Sequence, residues 1–66
     1  MRPNKEYIIN LMYKNNWSQN KLAMKAEVSS ATISRWINGQ RGAGAQLIAG
    51  IIKAFPNEPL NKLFFL

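Results

Sequence analysis

The sequence predicts an all-α fold of five short helices in a single domain over residues 1–66. Apolar residues recur at the i, i+3 and i+4 spacing of amphipathic helices, and no segment keeps the period-two alternation of a strand, so we expect no sheet. Prolines, glycines and paired asparagines divide the apolar stripes into short segments. A chain of 66 residues buries about 60% of its unfolded surface, which is enough for one compact core.

The first predicted helix runs from Pro3 to about Asn15. Pro3 suits its N-terminal position, where no intrahelical N–H is needed, and the pair Asn15-Asn16 is a good stop. Its buried stripe is expected to hold Ile8, Leu11 and Met12, together with Asn15 or Tyr7.

The next two predicted helices each begin after a serine N-cap. Ser18 precedes a helix over residues 19–25, and Ser29 precedes a helix that stops at Asn38-Gly39. Only about three residues, 26–28, join them, so residues from about 18 to 38 form a helix-turn-helix candidate. Two apolar pairs have the spacing of a hydrophobic staple: Trp17 with Leu22, and Val28 with Ile33. The expected core residues are Leu22, Ala23, Ala26, Val28, Ile33, Trp36 and Ile37.

Two more helices follow a glycine-rich loop over residues 39–44. The fourth runs from about Ala45 to Phe55 and is ended by Pro56, while Pro59 can occupy the first turn of a short fifth helix. The fourth helix is expected to bury Leu47, Ile48, Ile51, Ile52 and Phe55. The fifth contains Leu60, Leu63 and Phe64.

The composition argues against an enzyme. The chain has no cysteine and no histidine, which excludes disulfides and thiolate zinc sites and removes the commonest metal ligand and general base. The three acidic residues are far apart in the sequence: Glu6, Glu27 and Glu58. We therefore expect no catalytic site, no metal, no cofactor and no small-molecule substrate.

The charge favours a polyanionic partner. Nine lysines and arginines against three acids give a net charge of +6, which suits nucleic acid first and an anionic membrane surface second. No apolar run reaches the roughly 18 residues of a membrane span, and no signal peptide is recognisable. We expect a cytoplasmic protein that does not bind membranes, because caps and turns interrupt its apolar stripes.

From Trp17 to Phe55 the chain resembles the phage Cro and repressor family of helix-turn-helix proteins, which implies a compact five-helix lambda-repressor-like domain. Two positions depart from that family. Glu27 stands where the family usually has glycine, and a left-handed conformation there would cost roughly 1 kcal/mol; Ala43-Gly44 replaces the usual proline or serine. The residues that carry the resemblance are Ser18-Gln19, Leu22-Ala23, Ala26, Val28-Ser29, Thr32-Ile33-Ser34-Arg35-Trp36 and Asn38-Gly39.

The outward side of the third helix is expected to read DNA bases. Most of its side chains are short, which lets a helix enter the major groove closely, and Arg35 is the one able to contact guanine O6 and N7 together. A phosphate contact or simple solvation is the alternative for Arg35. The predicted base-contacting residues are Ser30, Ala31, Thr32 and Arg35.

Phosphate contacts are expected from polar groups around that helix. Gln19 combines its amide with the positive end of a helix dipole, and the resemblance implies the same role for it. Ser34 suits a phosphate contact or solvent as well as it suits a base contact. The predicted phosphate-contacting residues are Gln19, Ser34, Asn38, Gln40 and Arg41, and the contributors to the positive field are Lys5, Lys14, Lys21 and Lys25.

These features predict a sequence-specific regulator of transcription that binds a double-stranded DNA operator, of the phage or mobile-element repressor type. The alternative is a protein-interaction module on the same fold, such as an antitoxin or antirepressor, with weak and sequence-indifferent DNA binding. The C-terminus offers four apolar residues, Leu63, Phe64, Phe65 and Leu66. Either they form the interface of a weak homodimer that pairs mainly on DNA, or the chain is a fragment of a longer protein. A competing hypothesis to the dimer is that Phe64 folds back onto the core of its own chain.

Overall fold

Five helices and one short β-ribbon make up the computed structural model, which describes all residues 1–66. The predicted all-α class and helix count are confirmed. The elements in chain order are β1 (Arg2–Pro3), α1 (Lys5–Lys14), α2 (Gln19–Ala26), α3 (Ser30–Ile37), α4 (Ala45–Ala54), α5 (Leu60–Leu63) and β2 (Phe64–Phe65). None of the helices combines the length and the hydropathy that crossing a bilayer requires.

The β-ribbon corrects the prediction that the chain has no sheet. β1 pairs antiparallel with β2, so that Arg2 lies opposite Phe65 and Pro3 opposite Phe64. Pro3 is therefore in a strand rather than at the start of α1, which begins at Lys5 after Asn4 as N-cap. Strands of two residues leave no period-two pattern to detect, and an edge strand tolerates a proline because it needs no N–H there.

Both serine caps of the helix-turn-helix are confirmed. The Ser18 hydroxyl accepts from the backbone N–H of Lys21, and the Ser29 hydroxyl from that of Thr32, each at 3.1 Å. At the end of α3, Gly39 adopts a φ of +75°, as its predicted role as a left-handed terminator requires. Local sequence therefore determines where these two helices begin and where α3 ends.

The turn between α2 and α3 places Glu27 in the left-handed region. Its φ and ψ are 58° and 41°, a conformation that costs a non-glycine residue roughly 1 kcal/mol. The N–H of Val28 donates to the carbonyl of Ala23 at 3.0 Å and closes the turn. The Glu27 carboxylate lies 3.2 Å from the Lys53 ammonium, which links the turn to α4.

The core is one cluster of fourteen apolar residues drawn from every helix. The predicted buried face of α4 is corrected at two residues, because Ile52 is 37% exposed and Ile48 is only partly buried. The buried residues of α4 instead lie at the i, i+3, i+4 and i+7 positions of one face, and Gly50 on this face packs against α2. These four positions are Leu47, Gly50, Ile51 and Ala54.

The C-terminal residues divide between the core and the surface. Leu63 and Phe64 are buried at 0% and 1% exposure in the chain's own core, so they are not available to a partner as a dimer interface. Phe65 and Leu66 remain 50% and 82% exposed. The strand pairing explains the alternation, because successive side chains of a strand point to opposite faces.

The backbones of α2 and α4 are in contact at Gly50. A Cβ placed on Gly50 would lie 2.6 Å from the carbonyl oxygen of Ala26 and 3.0 Å from its Cβ. No larger residue fits at position 50 unless one helix moves. The contact therefore sets how closely the helix-turn-helix packs on the rest of the domain.

Gly50→Ala should lower the free energy of unfolding, although alanine is the better helix former. Overpacking costs about 1–3 kcal/mol against a helix-propensity gain of roughly 1 kcal/mol, so we expect a net loss of up to about 2 kcal/mol by urea denaturation. Gly42→Ala is the matched control, since no atom lies within 4 Å of its added methyl. Equal effects of the two substitutions would contradict the close contact.

Candidate nucleic-acid interface

The outward surface of α3 is a narrow stripe of mostly short polar side chains. Ala31, Ser34, Arg35 and Asn38 follow the i, i+3, i+4 and i+7 spacing of one helix face, and all are exposed except Ser34, which is half-buried. The opposite face holds the core residues Ile33 and Trp36. Arg35 is therefore the long side chain of this stripe, as the sequence predicts.

The N-terminal end of α3 carries the other two predicted base contacts. Ser30 is exposed, whereas Thr32 is half-buried and its hydroxyl lies 2.8 Å from that of Ser29. A hydroxyl offers one donor and two acceptor sites, so the Thr32 hydroxyl is partly committed to the cap. The Ser30 side chain is therefore the more accessible of the two.

The N-terminus of α2 lies beside the C-terminal end of α3. Gln19 is exposed, and Ser18, Gln19 and Ile37 border one cleft of about 390 Å³. The first amides of a helix have no intrahelical acceptor and point along the positive end of its dipole. Gln19 thus combines free backbone donors with a side-chain amide, as anion binding requires.

The loop after α3 presents the remaining predicted phosphate contacts. Asn38, Gln40 and Arg41 are all exposed. The N–H of Gln40 donates to the carbonyl of Arg35 at 2.8 Å, which keeps the loop against the end of α3. The Nε of Arg41 donates to the Gly42 carbonyl at 3.3 Å and leaves the other guanidinium donors free. Asn38 also contacts Ser34, with its Nδ2 3.4 Å from the Ser34 hydroxyl.

Few of the positive charges are neutralised within the chain. The single salt bridge joins Lys53 to Glu27. Glu58 instead accepts a hydrogen bond from the Tyr7 hydroxyl, and that bond raises the pKa of Tyr7 above its ordinary value. Arg35 and Arg41 therefore face solvent with their charges uncompensated by an ion pair.

Two basic residues near the N-terminus lie close to the end of α3. The Lys5 ammonium is 3.5 Å from the Ile37 carbonyl and 5.5 Å from the centre of the Trp36 ring. Arg2 borders the same cleft as Arg41. The sequence places Lys5 only among the field contributors and does not single out Arg2, because no local pattern indicates contacts between opposite ends of the chain.

A family model described as helix-turn-helix matches residues 8–63. The chain belongs to the Cro/C1-type helix-turn-helix family. It is also 38% identical over 61 residues to a protein of Bacillus subtilis (strain 168) named "Uncharacterized HTH-type transcriptional regulator YvzC", covering 92% of this chain and 78% of that protein. No solved structure is significantly similar to the chain. The family match confirms the predicted resemblance and fold class, while the individual DNA contacts stay predictions.

Proposed function

We propose that the protein is a sequence-specific transcriptional regulator that binds double-stranded DNA through α3, of the phage or mobile-element repressor type. The observation that carries this proposal is the outward stripe of α3, where one arginine stands among short polar side chains. The family match and the name of the Bacillus relative support a DNA-binding regulator. Occupancy of an operator by the domain would block polymerase or a competing regulator.

Base recognition depends on Arg35 in this proposal. An arginine can donate to guanine O6 and N7 at once, and each such bidentate contact is worth about 1–3 kcal/mol of discrimination. Ser30 and Ala31 are exposed at the N-terminal end of the same helix, where they complete the contact with neighbouring bases. The short neighbours allow the helix backbone to approach the floor of the groove.

The proposed phosphate contacts come from groups next to the outward stripe of α3. Gln19 at the start of α2 and the loop residues Asn38, Gln40 and Arg41 supply donors near the C-terminal end of α3. Phosphate contacts orient a domain on the duplex without reading its sequence. These groups therefore contribute affinity and register, and Arg35 contributes specificity.

Arg35→Ala should weaken binding to the preferred site by about 1–3 kcal/mol and have a much smaller effect on unrelated DNA. The preferred site is obtained by selection from random duplexes, and both affinities are measured by fluorescence anisotropy. Lys62→Ala is the control, since it removes the same charge from α5, outside the helix-turn-helix. Equal losses on both duplexes would make Arg35 a phosphate contact and move the specificity to Ser30 and Thr32.

Arg41→Ala should flatten the salt dependence of binding. The logarithm of the association constant falls by about 0.9 per neutralised phosphate for each unit of log salt, so the slope should shrink by roughly one per subunit and all sequences should weaken alike. Titrations between low and high salt on one duplex measure both quantities. A wild-type slope near zero on every duplex contradicts DNA binding.

The same proposal includes a weak homodimer that pairs mainly on DNA. One helix of eight residues contacts few base pairs, whereas two copies related by a twofold axis read half-sites about 34 Å apart. With Leu63 and Phe64 buried, the C-terminal apolar residues left for pairing are Phe65 and Leu66, together with Leu60, which is 46% exposed. So small an apolar surface supports only weak association in the absence of DNA.

Leu66→Asp should abolish cooperative binding to a palindromic site while the domain stays folded, because Leu66 is 82% exposed. Leu66 would be buried in the dimer interface, and losing the burial of one leucine weakens pairing by about tenfold or more. Sedimentation measures self-association, and the ratio of affinities for the palindrome and a single half-site measures cooperative binding. Met24→Asp, which places the same charge at an exposed residue of α2, is the sedimentation control. An unchanged ratio means that the interface lies elsewhere or that the domain acts alone.

A further inference from the structure

Three basic residues from distant parts of the sequence border one cleft at the C-terminal end of α3. Arg2, Lys5 and Arg41 line this cleft of about 490 Å³. Trp36 and Phe65 form its aromatic walls, and Glu6 is its acidic residue. Glu6 makes no salt bridge with any of the three, so the cleft keeps an excess of positive charge.

Each of the three cations is positioned by a contact of its own. The Arg2 guanidinium lies 4.9 Å from the centre of the Phe65 ring, and the Lys5 ammonium interacts with the Trp36 ring and the Ile37 carbonyl. Arg41 is held by its hydrogen bond to Gly42. These contacts orient the charges without neutralising them, which lowers the entropy lost when they bind an anion.

The place of the cleft relative to α3 points to DNA. A helix of eight residues is about 12 Å long, which is close to the width of the major groove. When the outward stripe of α3 lies in the groove, groups beyond the C-terminal end of the helix lie beside one of the two sugar–phosphate backbones that border the groove. Arg41, already among the predicted phosphate contacts, makes the cleft continuous with that interface.

We infer that the Arg2–Lys5–Arg41 cleft binds the phosphate backbone of the duplex that α3 reads, so that the N-terminal strand is part of the DNA-binding surface. This inference rests on the proposed function. Duplex DNA fits better than a free anion, because Arg2 and Arg41 are exposed and the release of counterions from a polyanion strengthens binding by exposed cations. It extends the interface beyond the helix-turn-helix to residues before α1.

The test is the salt dependence of DNA binding by Arg2→Gln and by Arg2→Gln combined with Lys5→Gln. The slope should flatten by about 0.9 for the single variant and about 1.8 for the double variant. Because the counterion term vanishes near 1 M salt, one lost phosphate contact corresponds to about eightfold weaker binding at 0.1 M. Preferred and unrelated duplexes should weaken equally, and thermal melting verifies that both variants are folded.

Two further variants sharpen the result. Glu6→Gln removes the negative charge from the cleft and should tighten binding to every duplex, which is opposite in sign to the effect of Arg2→Gln. Lys62→Gln removes a positive charge from α5 and should leave the slope within a few tenths of the wild-type value. Replacing chloride by inorganic phosphate at equal ionic strength should not compete; competition that Arg2→Gln abolishes would identify a free-anion site and overturn the assignment to duplex DNA.

The outcomes separate this inference from the proposed function. An unchanged slope for Arg2→Gln and for the double variant, while Arg41→Ala still flattens it, overturns the role of the N-terminal residues and leaves DNA binding by α3 intact. A loss by Arg2→Gln confined to the preferred site identifies a base contact and overturns the phosphate assignment. Absence of salt-dependent binding by the wild-type protein overturns both proposals together.

Discussion

The close contact between Gly50 and Ala26 sets how the helix-turn-helix packs on the rest of the domain. Because position 50 has no side chain, the backbone of α4 reaches that of α2, and the helix-turn-helix packs directly on the core. The ion pair between Glu27 and Lys53 connects the same two parts of the chain at the turn. α3 is attached to α2 through that turn, so its outward stripe is held at a defined orientation to the domain.

The β-ribbon is a second constraint between distant parts of the chain. It pairs the first residues of the chain with the last, and the N–H of Asn4 donates to the Leu63 carbonyl at 2.7 Å just beyond it. The ribbon directs Phe64 into the core and Phe65 to the surface, where the Arg2 guanidinium packs on its ring. Burial of a phenylalanine and placement of a basic residue thus have one structural cause.

The two candidate binding surfaces differ in chemistry and in how they are built. The stripe of α3 consists of neighbours on one helix, with short side chains and a single arginine that suit base edges. The cleft collects cations from β1, α1 and the loop after α3, and its positive charge and N–H donors suit phosphates. Together they would divide specificity and affinity between separate parts of one small domain.

Local sequence patterns predict the features that depend on residues close together in the chain. The serine caps, the stop at Gly39 and the faces of α3 follow from hydrogen bonds and spacings within one or two helical turns, so the stripe with Arg35 can be located from the sequence. Four other features become visible only in the folded chain: the ribbon, the burial of Leu63 and Phe64, the face of α4 that packs on α2, and the cleft that includes Arg2. These features arise from contacts between residues far apart in sequence, whose energies come from close packing and chain pairing that no local periodicity records.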